Sequence, residues 1–468
     1  MVMAGDGPPK PASLHGGTGA KEIKVTNITV NNQADLVAKL AVAKGGDTFL
    51  LAPGDYGLIT IKSKTFTTPI TITSASSTNP AKIQQLNITG SRGITFSGID
   101  LGSPLAANEL VTNCHNSAQI TNSSYISFDK VHIYGSLDGN PTNDRDGLNF
   151  RGSSNISITN SKFEQLARGI LVGSSQDIAI AGNSFTDMST DGIDFAQVQR
   201  VSIDSNSFSN FTPKAGDHPD AIQFWTAGTS AASTDISITN NQILMGGPVG
   251  TQGIFLKDET GVMPYERVTI DNNLVYINNG YNGIAVIGGT NIAVTDNTVV
   301  SQTTDSLKLR INLTGVNGAT VARNVSDQFI SSASSNISLS SNIFFTDQPG
   351  LISLVPNLGN GTLTTASDLV VSGFGYQPPI QMSMLSVSAP TGGQFARRRR
   401  AATPAAAMGF APPTLGAALD NGKGVIAAAV GLPAPIAAND GAVLEPPRNM
   451  GLKYELGLAV SPAMHRLG

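Results

Sequence analysis

Charged side chains recur at one position of a short repeated motif, in which a polar residue precedes Gly or Ala and three further residues, of which the first and the last are apolar. The copies are DGLNF (146–150), RGILV (168–172), DGIDF (191–195), DAIQF (220–224), QGIFL (252–256) and NGIAV (282–286). Asp146, Arg168, Asp191 and Asp220 open four consecutive copies. Carboxylates that a fold brings together cannot all ionise freely, so one can stay protonated as an acid while another acts as a base. Paired carboxyl groups of this kind hydrolyse glycosidic bonds.

Further polar and aromatic residues surround this motif, most densely in GDHPDAIQFWT (216–226). The chain's single tryptophan lies there, and an aromatic ring beside carboxylates suits stacking on a sugar ring. The sequence therefore predicts a carbohydrate site in which Asp191 and Asp220 form the acid/base pair and His218 assists catalysis. The residues predicted to bind substrate are Asp146, Arg168, Asp194, Asp217, Gln223, Trp225 and Lys257.

Other chemistry fits some of the same residues. A lyase or C5-epimerase acting on uronates needs a base, an acid and a group that neutralises the substrate carboxylate, and Arg168, His218, Lys257 and Tyr265 are candidates for these roles. Ca²⁺ among Asp191, Asp217 and Asp220 is the one metal considered, although no sequential calcium loop is present and no cofactor is expected. The aspartates are also compatible with a structural role, in which turn carboxylates accept hydrogen bonds from backbone N–H groups.

A second repeated motif alternates with the first and predicts the fold. Its copies include ISITNSKF (156–163), IAIAGNSF (178–185), VSIDSNSF (201–208) and ISITNNQI (236–243). Alignment of these copies places Asn183, Asn206, Asn241, Asn273, Asn297, Asn324 and Asn342 in one column. Short strands with an asparagine returning in register indicate the coils of a single-stranded parallel β-helix, in which the asparagine amides stack at a tight turn.

The predicted β-helix occupies residues 25–375, has about 12 coils and begins with a short capping helix over 33–43. Residues 1–24 are expected to be flexible or to dock on a partner. Residues 376–468 form an Ala/Pro/Gly-rich tail around the run Arg397–Arg400, with a linker or partner-binding role. The longest coils lie at 193–284, and their extra residues are expected to leave as loops on one face.

Composition agrees with an all-β chain and excludes several classes of protein. Glycine accounts for 50 of the 468 residues, and charged residues for 13%. A net charge of −4 supports neither disorder nor nucleic-acid binding. No apolar run is long enough to span a membrane, and the N-terminus lacks the apolar segment of a secretory signal. The single cysteine allows no intrachain disulfide.

The two motifs over residues 45–370 resemble the pectate-lyase-like right-handed β-helix superfamily, which includes polygalacturonases, alginate lyases, epimerases and phage tailspike depolymerases. TDGID (190–194) resembles the polygalacturonase motif that carries a catalytic aspartate, which implies this role for Asp191. HPDAI (218–222) matches only one aspartate of the family's pair, at Asp220. The family's Gly-His-Gly is replaced by QGI (252–254), and its Arg-Ile-Lys is echoed by KLR (308–310).

The resemblance implies a glycan depolymerase, hydrolase or lyase, that acts on an acidic cell-surface or extracellular polysaccharide as a phage virion tail or head spike. The first alternative is a non-catalytic virion spike that binds host glycan, and the second is a uronate lyase or C5-epimerase. A virion or extracellular location without a signal peptide is expected, with virion proteins contacting the N-terminal segment and the tail. A homotrimer is a further expectation for a spike.

Overall fold

A computed structural model describes residues 26–105, 115–214, 217–245, 250–302, 309–355 and 369–378. The described chain winds into a parallel β-helix, which confirms the predicted fold. The predicted segments 1–24 and nearly all of 376–468, with Arg397–Arg400, lie outside the described residues, and so does Cys114.

Each complete coil contains three short strands. In the N-terminal third these are β1 (Asn27–Val30), β2 (Thr48–Leu51), β3 (Leu58–Lys62), β4 (Thr65–Ser74), β5 (Lys82–Ile83), β6 (Gln85–Thr89), β7 (Arg92–Ser97), β8 (Asp100–Gly102), β9 (Asn116–Thr121), β10 (Ser124–Asp129) and β11 (His132–Tyr134). The middle third contains β12 (Asp146–Arg151), β13 (Ser154–Thr159), β14 (Lys162–Glu164), β15 (Ile170–Gly173), β16 (Gln176–Ala181), β17 (Ser184–Thr186), β18 (Ile193–Ala196), β19 (Gln199–Asp204), β20 (Ser207–Ser209), β21 (Asp220–Trp225) and β22 (Thr234–Thr239).

The C-terminal third contains β23 (Gln242–Met245), β24 (Gln252–Lys257), β25 (Tyr265–Asp271), β26 (Leu274–Ile277), β27 (Asn282–Thr295), β28 (Thr298–Ser301), β29 (Arg310–Ala322), β30 (Val325–Ser326), β31 (Gln328–Ser332), β32 (Ser335–Ser340) and β33 (Ile343–Phe344). A 3₁₀-helix follows at Pro349–Leu354. Strands β27 and β29 are long because each runs through the corner between two faces of the β-helix.

Three parallel faces result from stacking equivalent strands of successive coils. The first face contains β12, β15, β18, β21 and β24, and the second contains β13, β16, β19, β22 and β25. The third face is an 11-stranded sheet, close to the predicted 12 coils. Because neighbouring strands lie about 4.8 Å apart, residues in register form columns that run along the β-helix axis.

Stacked aromatic rings explain why glycine recurs in the first motif. On the third face, the rings of Phe163 and Phe185 lie 4.5 Å apart, and those of Phe185 and Phe208 lie 4.7 Å apart. A Cβ atom on Gly192 would lie 2.8 Å from the Phe208 ring and 2.5 Å from the Ala221 carbonyl oxygen. Glycine is therefore required here for space beside the core.

The predicted asparagine ladder is confirmed at the corner between the second and third faces. The Nδ2 of Asn206 donates to Oδ1 of Asn241 at 3.0 Å, and Nδ2 of Asn241 donates to Oδ1 of Asn273 at 3.0 Å. The residues that precede these asparagines, such as Ser205 and Asn240, have φ near +57°. The ladder satisfies buried backbone groups at this corner of successive coils, which fixes their register.

A short helix caps the N-terminal end of the β-helix, as the sequence predicts. It spans Gln33–Ala41, and the Asn32 side chain accepts a hydrogen bond from the Asp35 amide at its N-terminus. Leu36 and Leu40 are buried against the first coils. Within the described residues, no helix is long and apolar enough to cross a membrane.

The extra residues of the long coils form loops at two corners of the β-helix. The expectation that these loops lie on one face therefore needs correction. Residues 210–214 and 217–219 precede β21, at the corner between the third and first faces, whereas 226–233 and 258–264 follow β21 and β24 at the opposite corner. Thr226 N donates to Glu259 Oε2, which joins the last two loops. These segments border the first face on both of its edges, and the predicted site lies between them.

The third face is partly covered by the C-terminal end of the described chain. Val355, Leu369, Val371 and Tyr376 pack on Leu274, Tyr276 and Val300. Tyr376 N donates to Thr298 Oγ1, and its hydroxyl accepts a hydrogen bond from Gln242 Nε2. The third face is thus closed over its C-terminal coils, whereas the first face is open to solvent beside Trp225 and Tyr281.

Candidate functional site

The charged residues of the first motif form one column along the edge of the first face. Backbone hydrogen bonds fix their register, since Gly147 N donates to the Arg168 carbonyl, Gly169 N to the Asp191 carbonyl and Gly192 N to the Asp220 carbonyl. The four motif residues Asp146, Arg168, Asp191 and Asp220 therefore occupy four successive coils. A middle column follows along the same strands, with Asn149, Leu171, Asp194 and Gln223 in register.

Asp191 and Asp220 are in direct hydrogen-bonded contact. The Asp220 amide donates to Asp191 Oδ1 at 2.8 Å, and Gln223 Nε2 donates to Asp220 Oδ2 at 2.6 Å. Asp220 is 1% exposed and Asp191 is 7% exposed. The second oxygen of Asp220 and one oxygen of Asp194 are buried and have no hydrogen-bond partner within the described residues. This arrangement suits a carboxyl that carries a proton.

Burial dominates the electrostatics of the three carboxyl groups. It raises the pKa of Asp191 to about 7, although the hydrogen bond from the Asp220 amide and the charge of Arg168 oppose the shift. Burial also raises the pKa of Asp194 and of Asp220 well above the usual range, and the negative charge of Asp191 raises both further. Because the carboxyls disfavour each other's ionisation, the cluster holds at least one proton near neutral pH.

Asp146 and Arg168 form a bidentate ion pair next to this cluster. Arg168 Nε donates to Asp146 Oδ1 at 2.9 Å, and its Nη2 donates to Asp146 Oδ2 at 2.7 Å. The Arg168 side chain is 13% exposed and the Asp146 side chain is 4% exposed. The guanidinium also lowers the pKa of Asp191 and of Asp194. Arg168 therefore already has an anionic partner, and it stabilises the ionised form of the neighbouring acids.

The remaining predicted residues lie at the borders of the cluster. Asp217 is half-buried and His218 is exposed, two residues before β21, and His218 makes no hydrogen bond or ion pair with any described residue. Trp225 and Lys257 are register partners on β21 and β24. They face outward at the other end of these strands, about 16 Å from Asp220 at ~3.3 Å per residue. The structure thus does not bring Trp225 beside Asp220.

Tyr265, a candidate acid or base for elimination, begins β25 at the edge of the first face opposite the column of acids, so it lies away from the carboxyl cluster. Its side chain is 0% exposed, and its hydroxyl donates to the Lys257 carbonyl at 2.8 Å. Burial also raises the pKa of the Tyr265 phenol. A phenol so placed supports the loop 258–264 and cannot reach a substrate on the outer surface.

Polar residues beyond Asp220 continue the same column, and the sequence analysis gave them no role. Asn282 Nδ2 donates to Gln252 Oε1 at 2.6 Å, and Arg310 Nε donates to Asn282 Oδ1 at 3.1 Å. Gln252 is the register partner of Asp220, and its side chain lowers the pKa of that carboxyl. Gln252 and Asn282 open copies of the motif, so continuing the column beyond the charged residues would have identified them. Arg310, the last residue of KLR (308–310), is not followed by glycine, so the first motif does not place it in this column.

The raised pKa of Asp191 predicts that stability falls as pH rises. The ordinary pKa of an aspartate is 3.8, and that of Asp191 is raised to about 7. Between these two pH values the folded chain retains a proton on Asp191 that the unfolded chain has lost. The contribution of Asp191 to the free energy of unfolding should therefore decrease through this window and level off above it. We expect Asp191→Asn to flatten the dependence in denaturant titrations, with Asp194 and Asp220 supplying the remaining slope. Identical slopes in the variant and the wild type would show that Asp191 titrates normally in the fold.

No group of three or more His, Cys, Asp or Glu side chains in the described ranges has an arrangement that could hold a metal ion. Asp191 is one of the three aspartates named for Ca²⁺ in the sequence. Its Oδ1 already accepts a hydrogen bond from the Asp220 amide.

Comparison with known proteins gives a family match and several structural likenesses. The family model described as "right handed beta helix region" matches residues 19–243 and 116–299. Among solved structures, the chain is similar to the surface adhesin PfbA of Streptococcus pneumoniae, with 13% identity and a TM-score of 0.45 over 67% of this chain and 86% of the adhesin.

Two further structures show comparable likeness. An alginate lyase from Paenibacillus sp. has 18% identity and a TM-score of 0.41, over 68% of this chain and 99% of the lyase. The Dettilon tailspike protein has 14% identity and a TM-score of 0.42, over 67% of this chain and 61% of the tailspike. The curated proteins include no match to this chain.

Proposed function

The chain belongs to the right-handed β-helix family, and we propose that it is a glycan-cleaving hydrolase whose acid/base pair is Asp191 and Asp220, which lie on adjacent coils. The observation that carries this proposal is their direct contact in a buried site, where the Asp220 amide donates to Asp191. Burial and mutual repulsion raise the pKa of both carboxyls, which keeps one protonated near neutral pH.

The hydrogen bonds support different roles for the two groups. Asp191 accepts an amide hydrogen bond, which favours its ionised form, whereas one oxygen of Asp220 is buried without a partner. Asp220 is therefore the acid that gives its proton to the glycosidic oxygen as the bond to the anomeric carbon breaks. Asp191 is the base that accepts the proton of the attacking water, and the two roles balance the reaction.

The other predicted residues have supporting roles in this proposal. Gln223 holds one oxygen of Asp220, and Asp194 adds a third carboxyl that repels a second negative charge. The ion pair of Asp146 and Arg168 borders the acids on one side. Asp217 and His218 lie at the corner that opens the site. Trp225 and Lys257 supply a ring and a cation for the sugar at the far end of the strands.

An acidic polysaccharide is the proposed substrate class. Lys257 is half-buried and its Nζ has no hydrogen bond or ion pair with any described residue, so an anionic sugar can pair with it. Elimination from a uronate is less well supported, because Arg168 is already paired with Asp146 and Tyr265 is buried. We further propose action outside the cell or on a virion, where intact polysaccharides are met. The homotrimer and the virion contacts stay predictions.

A non-catalytic glycan-binding spike is the second candidate function. The hydrogen bond from the Asp220 amide to Asp191 favours this alternative, because a turn aspartate with a purely structural role accepts a hydrogen bond from a backbone amide in the same way. In this alternative the first face binds the same glycans but leaves them intact.

Incubation of the wild-type chain with a panel of polysaccharides tests the proposal. The panel contains the acidic polygalacturonate and alginate and, as neutral controls, xylan and dextran. We expect new reducing ends to form from an acidic member, without the ultraviolet absorbance of an unsaturated product. Binding without cleavage of any member would support the spike, and an unsaturated product would support the lyase.

A further inference from the structure

Three aromatic side chains face outward from three successive coils of the first face. Trp225 lies on β21 and Phe255 on β24, while Tyr281 directly precedes β27. Phe224, Ile254 and Leu256 alternate with them and point into the core, with 0% exposure. Trp225 and Phe255 are half-buried and Tyr281 is 48% exposed, so all three rings reach the outer surface.

These rings follow an oblique line across the face. Phe255 is in register with Gln223, two residues before Trp225 on β21, and Tyr281 precedes Asn282, which belongs to the edge column of Gln252. Each step moves one coil toward the C-terminus, about 4.8 Å, and also moves back along the strand direction toward the column of acids. The line therefore runs from the second-face edge to the acid column.

A cation accompanies each end of this line. Lys257 is the register partner of Trp225, and it follows Phe255 by two residues on the same side of β24. The Arg310 guanidinium lies 5.5 Å from the centre of the Tyr281 ring. Arg310 Nε is bound to Asn282, whereas its Nη atoms have no partner within the described residues.

The Tyr281 end of the line is close to the proposed acid. The negative charge of Asp220 raises the pKa of the Tyr281 phenol, after burial as the main cause, and Arg310 lowers it. Side-chain hydrogen bonds join Gln252, Asn282 and Arg310, and Gln252 is the register partner of Asp220 on the next coil. A sugar stacked on Tyr281 would therefore be close to the catalytic carboxyls, with an unpaired guanidinium edge beside it.

From this arrangement we infer that Trp225, Phe255 and Tyr281 are successive stacking positions for the sugar rings of one bound glycan chain, which crosses the first face obliquely. Arg310 binds an anionic substituent, such as a carboxylate or sulfate, on the sugar that stacks on Tyr281. The inference rests on the proposed function for the identity of the ligand as a glycan. It adds Phe255, Tyr281 and Arg310 to the site, and these residues set affinity and substrate charge.

Aromatic contacts and exposed cation interactions each contribute ~0.5–1.5 kcal/mol, which corresponds to about three- to tenfold in affinity. We expect Phe255→Ala and Tyr281→Ala each to weaken binding of the acidic polysaccharide by this factor, whereas Tyr281→Phe keeps the ring and the affinity. Arg310→Gln should weaken binding of polygalacturonate more than that of xylan.

Affinity electrophoresis in native gels that contain polygalacturonate or xylan measures these effects independently of cleavage. Tyr125→Ala is the matched control, because Tyr125 is 43% exposed and Arg92 lies 3.7 Å from its ring, but on the second face. Full retention of binding by both alanine variants, or an equal loss in Tyr125→Ala, would overturn the inference. Loss of binding in the two variants without cleavage by the wild type would uphold the inference while the hydrolase proposal fails.

Discussion

Replacing Asp220 with asparagine is expected to lower the rate of glycan cleavage by about 10²–10⁴-fold, the usual contribution of a general acid. Asparagine keeps the size of the side chain and the contact with Gln223, which donates to Asp220 Oδ2 in the wild type. It cannot give a proton to the leaving oxygen. Initial rates of reducing-end formation on the cleaved polysaccharide, measured for both proteins, give the ratio.

A matched control separates this effect from general damage to the fold. Asp204 belongs to the same coil as Asp191, but it lies at the corner between the second and third faces, where it accepts hydrogen bonds from Thr239 and Asn240. Asp204→Asn should keep the wild-type rate. The acid role of Asp220 would be disproved if Asp220→Asn retained most of the activity, or if both variants lost the same amount with unchanged melting temperatures.

The second large effect concerns stability, and it is expected for Asn241→Ala. The Asn241 side chain accepts hydrogen bonds from the amide and Nδ2 of Asn206, and it donates to the Ile203 carbonyl and to Asn273. Asn241 is 0% exposed, so water cannot replace these partners. Each buried group left without a partner costs about 1–3 kcal/mol, and we expect a total loss of ~3–5 kcal/mol.

Denaturant titration of the wild type and the variant measures this loss. The last rung of the ladder provides the control, because Asn342 is only partly buried and has no following asparagine in the ladder. Asn342→Ala should therefore cost clearly less than Asn241→Ala. Equal costs at the two positions would mean that the ladder does not stabilise the coils through buried amide hydrogen bonds.

The sequence was sufficient to predict the β-helix, because its determinants are periodic. Each asparagine of the ladder bonds to the equivalent residue of the next coil, so the same residue type must return once per coil. A second polar ladder was missed. The amides of Ser91, Ser123 and Ser153 each donate to the hydroxyl of the serine one coil on, but serine is too common elsewhere in this chain for the column to stand out.

The site was predictable only along its periodic column. Asp146, Arg168, Asp191 and Asp220 share one motif position, so their stacking followed from the repeat. The separation of residues across the face did not follow from the repeat. Asp220 and Trp225 lie far apart because they are the first and last residues of β21. The repeat places Phe255 in the column of Gln223, but it does not relate Phe255 to Trp225 and Tyr281, which occupy other positions of the repeat.

The burial of Tyr265 and the pairing of Arg168 with Asp146 depend on three-dimensional contacts. The first results from the loop 258–264, whose conformation is set by Asp258 accepting hydrogen bonds from Thr226, Thr260 and Met263. Such irregular loops have no periodic signal in the sequence. The proposal of hydrolysis rather than elimination therefore depends on contacts that the sequence does not reveal.

Isotope labelling of the products tests most directly whether this site hydrolyses glycans. The wild-type chain is incubated with the polysaccharide that it cleaves, in water enriched in a heavy oxygen isotope, and the fragments are analysed by mass spectrometry. If Asp220 protonates the leaving oxygen and Asp191 activates water, each new reducing end carries one labelled oxygen from the solvent. Unlabelled fragments with an unsaturated terminal sugar would contradict the account, since they arise by elimination.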